Sequence, residues 1–208
     1  MMDVNHVDWR SFPTPFGPAG EIPRLVADLT SAASEARLAA YERAKDLVAY
    51  MGQRSEVSVQ LVPFLLDLVR DPAVVEKDAA MLLLCDIAVG DQLAYLDDPP
   101  DWPALRREVA RKQTLSVADL EREARDHERS LGGSDLDARL EMLESEDLDI
   151  GRQVERDGVQ AYDAVRAGVP VFADLLRSAN PLHRVYAEYL VGFFLKSGRG
   201  RCQRWSAC

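Results

Sequence analysis

The sequence predicts an all-helical fold, on three observations. Apolar residues recur at three- and four-residue spacings along almost the whole chain, the period of a helix with one buried stripe. No stretch alternates strictly between apolar and polar, as a half-buried strand would. One pattern also returns: a proline at the front of a short apolar helix, a tight turn, then a longer helix. Pro23 and Pro63 stand 40 residues apart, and Pro170 opens a third copy. A single helix pair cannot bury its own stripe, so the pairs are expected to stack as an α-solenoid.

The first short helix is read over residues 22 to 30, with Pro23 in the first turn, where its missing N–H has no partner to lose. A second helix follows Ser34, through Leu38, Tyr41, Ala44, Lys45, Leu47 and Val48, and stops before Gly52. The second copy runs from Leu61 to Val69, turns at Arg70-Asp71-Pro72, and continues from about Glu76 to Val89. The third has Val169 to Leu176, a turn from Ser178 to Pro181, then Val185, Tyr186, Tyr189, Leu190 and Phe193. An aspartate recurs late in each short helix, as Asp28, Asp67 and Asp174. Leu25, Leu29, Phe64, Leu65, Leu68, Phe172, Leu175 and Leu176 are the expected seam, each contributing roughly 1.5–3 kcal/mol on burial.

A more polar stretch from about Gly90 to Ala161 interrupts the repeat, with the insert itself placed at about residues 97–150. Asp97-Asp98-Pro99-Pro100-Asp101 reads as a loop, and Trp102-Pro103-Ala104-Leu105 can open a helix. Pro103 follows Pro63 by 40 residues, but what comes after it lacks the repeat's apolar pattern. Ser116 caps a charged helix over 116–131, with Leu120, Ala124 and Leu131 as its stripe and Gly132-Gly133 as its stop. Asp135 to Ile150 is predicted as one acidic helix through Leu136, Leu140, Leu143 and Leu148. Gln153 to Ala167 returns to the apolar pattern, through Val154, Val159, Tyr162 and Val165.

Four segments carry a resemblance. They are Trp9 with Phe16-Gly17-Pro18-Ala19-Gly20-Glu21-Ile22-Pro23, Val62-Pro63-Phe64-Leu65-Leu66-Asp67-Leu68, Asp86-Ile87-Ala88-Val89-Gly90-Asp91, and Ala161 to Pro170. Over residues 8 to 194 the chain resembles the actinobacterial HEAT-repeat proteins of unassigned function. The resemblance implies a HEAT-like α-solenoid, a right-handed stack of antiparallel helix pairs with a charged helical insert, and no catalytic residues. The chain departs from that pattern after the first long helix, where Met51-Gly52-Gln53 replaces a His-Gln-Gly turn. The organisation expected is an extended N-terminal segment (1–20), a repeat domain (21–195) and an irregular basic tail (196–208). The tail, with four basic and no acidic residues, reads as a read-through or frame-shifted end from Gly198 onward. The rival account is a basic binding tail bearing Trp205.

Composition bounds the function. The chain has 208 residues, 47% of them hydrophobic and 29% charged, and a net charge of −10. Such a charge opposes nonspecific attraction to nucleic acid or anionic lipid. No apolar run reaches the roughly 20 residues of a membrane span, and no secretory signal is evident, so a cytoplasmic location is expected. Cys85, Cys202 and Cys208 form neither a metal-ligand spacing nor an even disulfide set. Nucleophilic catalysis needs a base beside a Ser, Cys or Lys. His6, His127 and His183 are the only histidines, and each reads as a surface or capping residue. Asp135, Asp137, Glu141, Glu144, Glu146, Asp147 and Asp149 place seven carboxylates in fifteen residues. Helical spacing spreads them into a solvated face, partly neutralised by Arg139 and Arg152, with no histidine at ligand spacing.

The expectation is therefore a non-enzymatic protein–protein interaction or scaffolding module, with no catalytic, cofactor-binding or metal site. Its partner would be another protein or a peptide, with a preference for basic ones, received by the second helices of the pairs. Nucleic acid and membrane are not expected partners. The alternative is a HEAT-like DNA-binding protein or DNA glycosylase-type enzyme, in which Trp9, Trp102 and Trp205 stack on bases and Arg106, Arg107, Arg111 and Lys112 meet phosphates. A third possibility is a piece of a longer solenoid that self-associates through an apolar end near Phe193 and Phe194.

Overall fold

A computed structural model describes residues 2–90, 101–143 and 145–197. Among them the chain is helical throughout, with no strand. The helices are α1 (Ile22–Asp28), α2 (Ser34–Val48), α3 (Glu56–Arg70), α4 (Asp78–Val89), α5 (Trp102–Gln113), α6 (Val117–Leu131), α7 (Leu136–Glu141), α8 (Ser145–Arg166), α9 (Val169–Leu175) and α10 (Pro181–Ser197). The chain divides into two compact units. The first comprises residues 2–102 with 157–197, and the second residues 103–156. No helix among the described residues is long and apolar enough to cross a membrane. The loop at 97–100 and the basic tail from Gly198 lie outside the described residues.

In the first unit the three predicted pairs are present as α1–α2, α3–α4 and α9–α10, and their second helices lie side by side. Helix α4 packs against α2 on one flank and α10 on the other, while α3 touches α9. The third pair thus packs on the second although residues 90–168 separate them in sequence. The expected seam is present: Leu25, Leu29, Phe64, Leu65, Leu68 and Phe172 are buried, and Leu175 and Leu176 are half-buried. Gly168 lets α9 approach α3, since a Cβ there would collide with Leu66.

The N-terminal segment makes two 3-10 turns, Val4–His6 and Trp9–Ser11. Trp9 is buried, its indole Nε1–H donating to the Val4 carbonyl at 2.7 Å and its ring 5.9 Å from that of Phe64. Phe194 is buried, 5.1 Å from Tyr162, which stacks on Trp102 at 3.6 Å. Helix α8 thus carries Tyr162 against Phe193 and Phe194, while Leu195 beside them is 58% exposed.

Three elements differ from expectation. Pro63 does not open its helix: α3 begins at Glu56, and Pro63 lies in its interior. Apolar residues Val57, Leu61 and Val62 precede the proline and continue the buried stripe. Ser55 and Ser58 supply the start signal, the Ser55 N–H donating to Ser58 Oγ at 3.0 Å. Pro63 itself is exposed, so the carbonyl it leaves unbonded is on the solvent side. The acidic helix predicted over 135–150 is broken after Glu141. A new helix starts at Ser145, with Asp147 in its first turn, where a carboxylate meets the positive end of the helix dipole. That new helix then runs unbroken past Gly151 to Arg166. Leu38 and Leu131, placed on buried stripes by periodicity, are exposed.

Candidate functional site

The geometry of the second helices is set at the turns that precede them, and the three turns are built alike. Ser31 Oγ, Asp71 Oδ1 and Ser178 Oγ each accept from the backbone N–H two residues on, at 3.3, 2.8 and 3.2 Å. Six residues after each of these a cation returns to the turn. Arg37 Nη1 donates to the carbonyls of Ser31 and Ala32 at 2.7 and 3.2 Å. Lys77 Nζ donates to those of Val69 and Asp71, both at 2.7 Å. Arg184 Nη1 donates to those of Ser178 and Ala179 at 2.6 and 3.1 Å. These cations satisfy carbonyls left without partners where a helix ends and the chain turns. Arg37 also pairs with Asp78 at 3.0 Å and Glu76 at 3.4 Å, which ties the first pair to the second.

So positioned, α2, α4 and α10 share a face centred on Asp86. The Tyr41 hydroxyl donates to Asp86 Oδ2 at 2.6 Å, within the buried contact of α2 with α4. Lys45 donates to Tyr41 Oη at 3.3 Å and pairs with Asp86 at 3.7 Å. Burial, then the hydrogen bond to Asp86, holds the Tyr41 phenol far above its ordinary range, so it remains a donor. From the other side, Tyr186 and Tyr189 of α10 lie within the field of Cys85, and Tyr189 within that of Asp86. Both phenols are raised, burial being the larger cause. Leu38, Val185 and Tyr189 are exposed here, at 59%, 55% and 44%, and Leu82 of α4 is half-buried. The face therefore offers apolar contacts around one nearly buried carboxylate. Cys85, next to Asp86 on α4, is buried and its thiol pushed up by that burial.

The other groups singled out in the sequence have structural partners. His183 is buried at the third turn, with Nδ1 3.4 Å from Ser178 Oγ and Nε2 3.2 Å from Asn180 Nδ2. It braces the side chains of the turn and is not the surface or capping residue expected, the cap being Asn180, whose Oδ1 accepts from the Leu182 N–H at 2.9 Å. His6 is exposed beside Asp3 at 3.4 Å, and His127 is exposed on α6. Trp9 and Trp102 are both buried, which removes them as platforms for stacking bases. Arg111 is held by Glu108 and Glu123, and Lys112 by Glu155. Trp205 lies outside the described residues.

The second unit, taken alone, has a cleft of about 440 Å³ between α5, α6 and α8. Leu120, Ala124 and Leu148 line it together with Glu108, Glu123 and Glu155. Of the acidic run, Asp135 pairs with Arg139 and Asp149 with Arg152. No group of three metal-ligating side chains occurs among the described residues.

The recurrent cation clamp escaped the reading of the sequence, although its signal is there. Proline, capping oxygen and cation follow one another at the same intervals in Pro23/Ser31/Arg37, Pro63/Asp71/Lys77 and Pro170/Ser178/Arg184. Asp86 was passed over because it sits in an apolar run, and nothing local connects it to Tyr41. Comparison with family models, curated proteins and solved structures finds no match.

Proposed function

We infer that the protein is a HEAT-like helical-repeat module that binds a partner protein or peptide along the face of α2, α4 and α10. The carrying observation is that this face is assembled by three turns of one design, yet leaves Leu38, Val185 and Tyr189 in solvent. Stacked helix pairs recognise partners by shape, without a reactive group. The net charge of −10 favours a basic partner through complementarity.

Site-specific photo-crosslinking tests the reading. A benzophenone side chain placed at Leu38 or Val185 should capture the same discrete partner from cell extract, with capture weakening as salt rises. The same group at Met51, an exposed apolar residue elsewhere, should not. Equal capture at all three positions, or none at Leu38 and Val185, overturns the assignment.

A further inference from the structure

The geometry points to the form of the partner's binding element: a basic amphipathic helix laid along the outer side of α10, with one large apolar side chain seated over Gly192. This deepens the reading above and rests on it.

Helix α10 carries two stripes. Its buried residues His183, Ala187, Leu190 and Phe194 recur at four, three and four residues and form the side packed on α4 and α9. Leu182, Val185, Tyr189 and Gly192 recur at three, four and three, the spacing of a seam between two helices. At about 3.6 residues per turn this second stripe lies on the far side of the helix from the first. Leu182, Val185 and Tyr189 are 49%, 55% and 44% exposed on it. An extended peptide would match a two-residue period instead.

Gly192 marks where a side chain enters from outside. A glycine in a helix interior is less stable than an alanine there, and among the described residues nothing stands within 4 Å of a Cβ built at 192. The packing of this chain therefore does not call for the glycine. It leaves a notch at the end of a row of three larger side chains, and a knob from a second helix fills such a notch. Charge selects the helix further. Glu188, three residues after Val185 and four before Gly192, stands exposed at the edge of the stripe, and Glu42 is exposed on α2. Neither makes an ion pair among the described residues. The cations Arg37, Lys45 and Arg184 are engaged, with Glu76 and Asp78, with Asp86, and with the third turn's carbonyls. The free charge offered to a partner is thus negative, so Lys or Arg beside the apolar positions of the docked helix complements it and an acidic helix is repelled.

The test pans a phage-displayed library of random peptides of about 20 residues, long enough for five helical turns, on the full chain, and measures the recovered peptides by fluorescence anisotropy. The expected peptides space apolar residues by three and four with Lys or Arg between them, and lose binding when a proline is placed at their centre. Gly192→Leu fills the notch, so affinity should fall about tenfold or more. Its melting temperature should stay level or rise, which separates loss of the site from loss of the fold. Glu188→Lys should cost about three- to tenfold in affinity, and less as salt rises. A Gly192→Leu chain that melts below the parent would mean that the glycine serves the chain's own packing, and the inference falls. Peptides sensitive to Leu38→Ser/Val185→Ser that tolerate the proline, or that bind Gly192→Leu or Glu188→Lys as tightly as the parent, overturn the inference and leave the docking face standing. So does a parent chain that sediments as a dimer dissociated by Gly192→Leu, which makes a second copy the occupant. Absence of any peptide sensitive to Leu38→Ser/Val185→Ser overturns the face itself.

Discussion

Lys77 and His183 show how much the turns depend on single polar side chains. Lys77 is buried and spends its ammonium on two backbone carbonyls. Burial lowers its pKa, with Asp71 pulling the other way. Replacing it by Met keeps the stem but leaves the Val69 and Asp71 carbonyls unsatisfied. The expected loss is about 1–3 kcal/mol in urea unfolding, and a change too small to resolve would show that water serves those carbonyls equally well. His183 makes the third turn sensitive to acid. Burial, then the charge of Lys77, lowers its pKa from 6.5, while Asp78 and Glu76 oppose the shift. The unfolded chain therefore takes up a proton near 6.5 that the folded one still refuses. Stability from this residue is complete above that pH and declines as pH falls below it, towards the folded value. Melting temperature measured from pH 7.5 to 5 should accordingly drop less in His183→Gln than in the parent chain. Parallel curves for the two would remove His183 as the origin.

At the scale of elements, the three prolines of the repeat occupy different environments, and this separates their energetic roles. Pro23 and Pro170 lie in first turns, where no intrahelical N–H bond is lost. Pro63 sits in the interior of α3. Because it is exposed, Pro63→Ala should restore a helical hydrogen bond without touching the core and raise stability by about 1–3 kcal/mol. Pro23→Ala and Pro170→Ala should change it little, and destabilisation by Pro63→Ala in thermal melts would refute this account. The same proline shows where the sequence was legible and where it was not. The turn after it and the helix beyond were readable from local signals, because capping and turn chemistry act over a few residues. The start of α3 was misplaced because the proline was given the role it has in the other two copies. Leu38 was assigned to the core by spacing alone, whereas exposure depends on which neighbour a helix face meets. The Asp86 face was illegible for that reason: it is composed from α2, α4 and α10, whose adjacency no local pattern encodes.

For the whole molecule, the question is what the long interruption between the second and third pairs contributes. Helix α10 packs on α4 and α9 touches α3, so the buried surface that closes the first unit comes from residues on either side of the interruption. Closing a loop costs entropy that grows only slowly with its length, about 0.6 kcal/mol per doubling, so a long insert is tolerated without being needed. The ends of the segment are also anchored: Trp102 stacks on Tyr162 at 3.6 Å within the first unit, and both are buried. Replacing residues 103–156 by a short Gly-Ser linker should therefore leave a helical chain that unfolds cooperatively. Its urea midpoint should be close to that of the parent, and its denaturant slope lower because less surface is exposed on unfolding. Far-UV circular dichroism and urea titration check both quantities. A shortened chain that binds hydrophobic dye and melts without a transition would mean that the three pairs cannot close on one another unaided, and the helical-repeat reading of the first unit would fail with it.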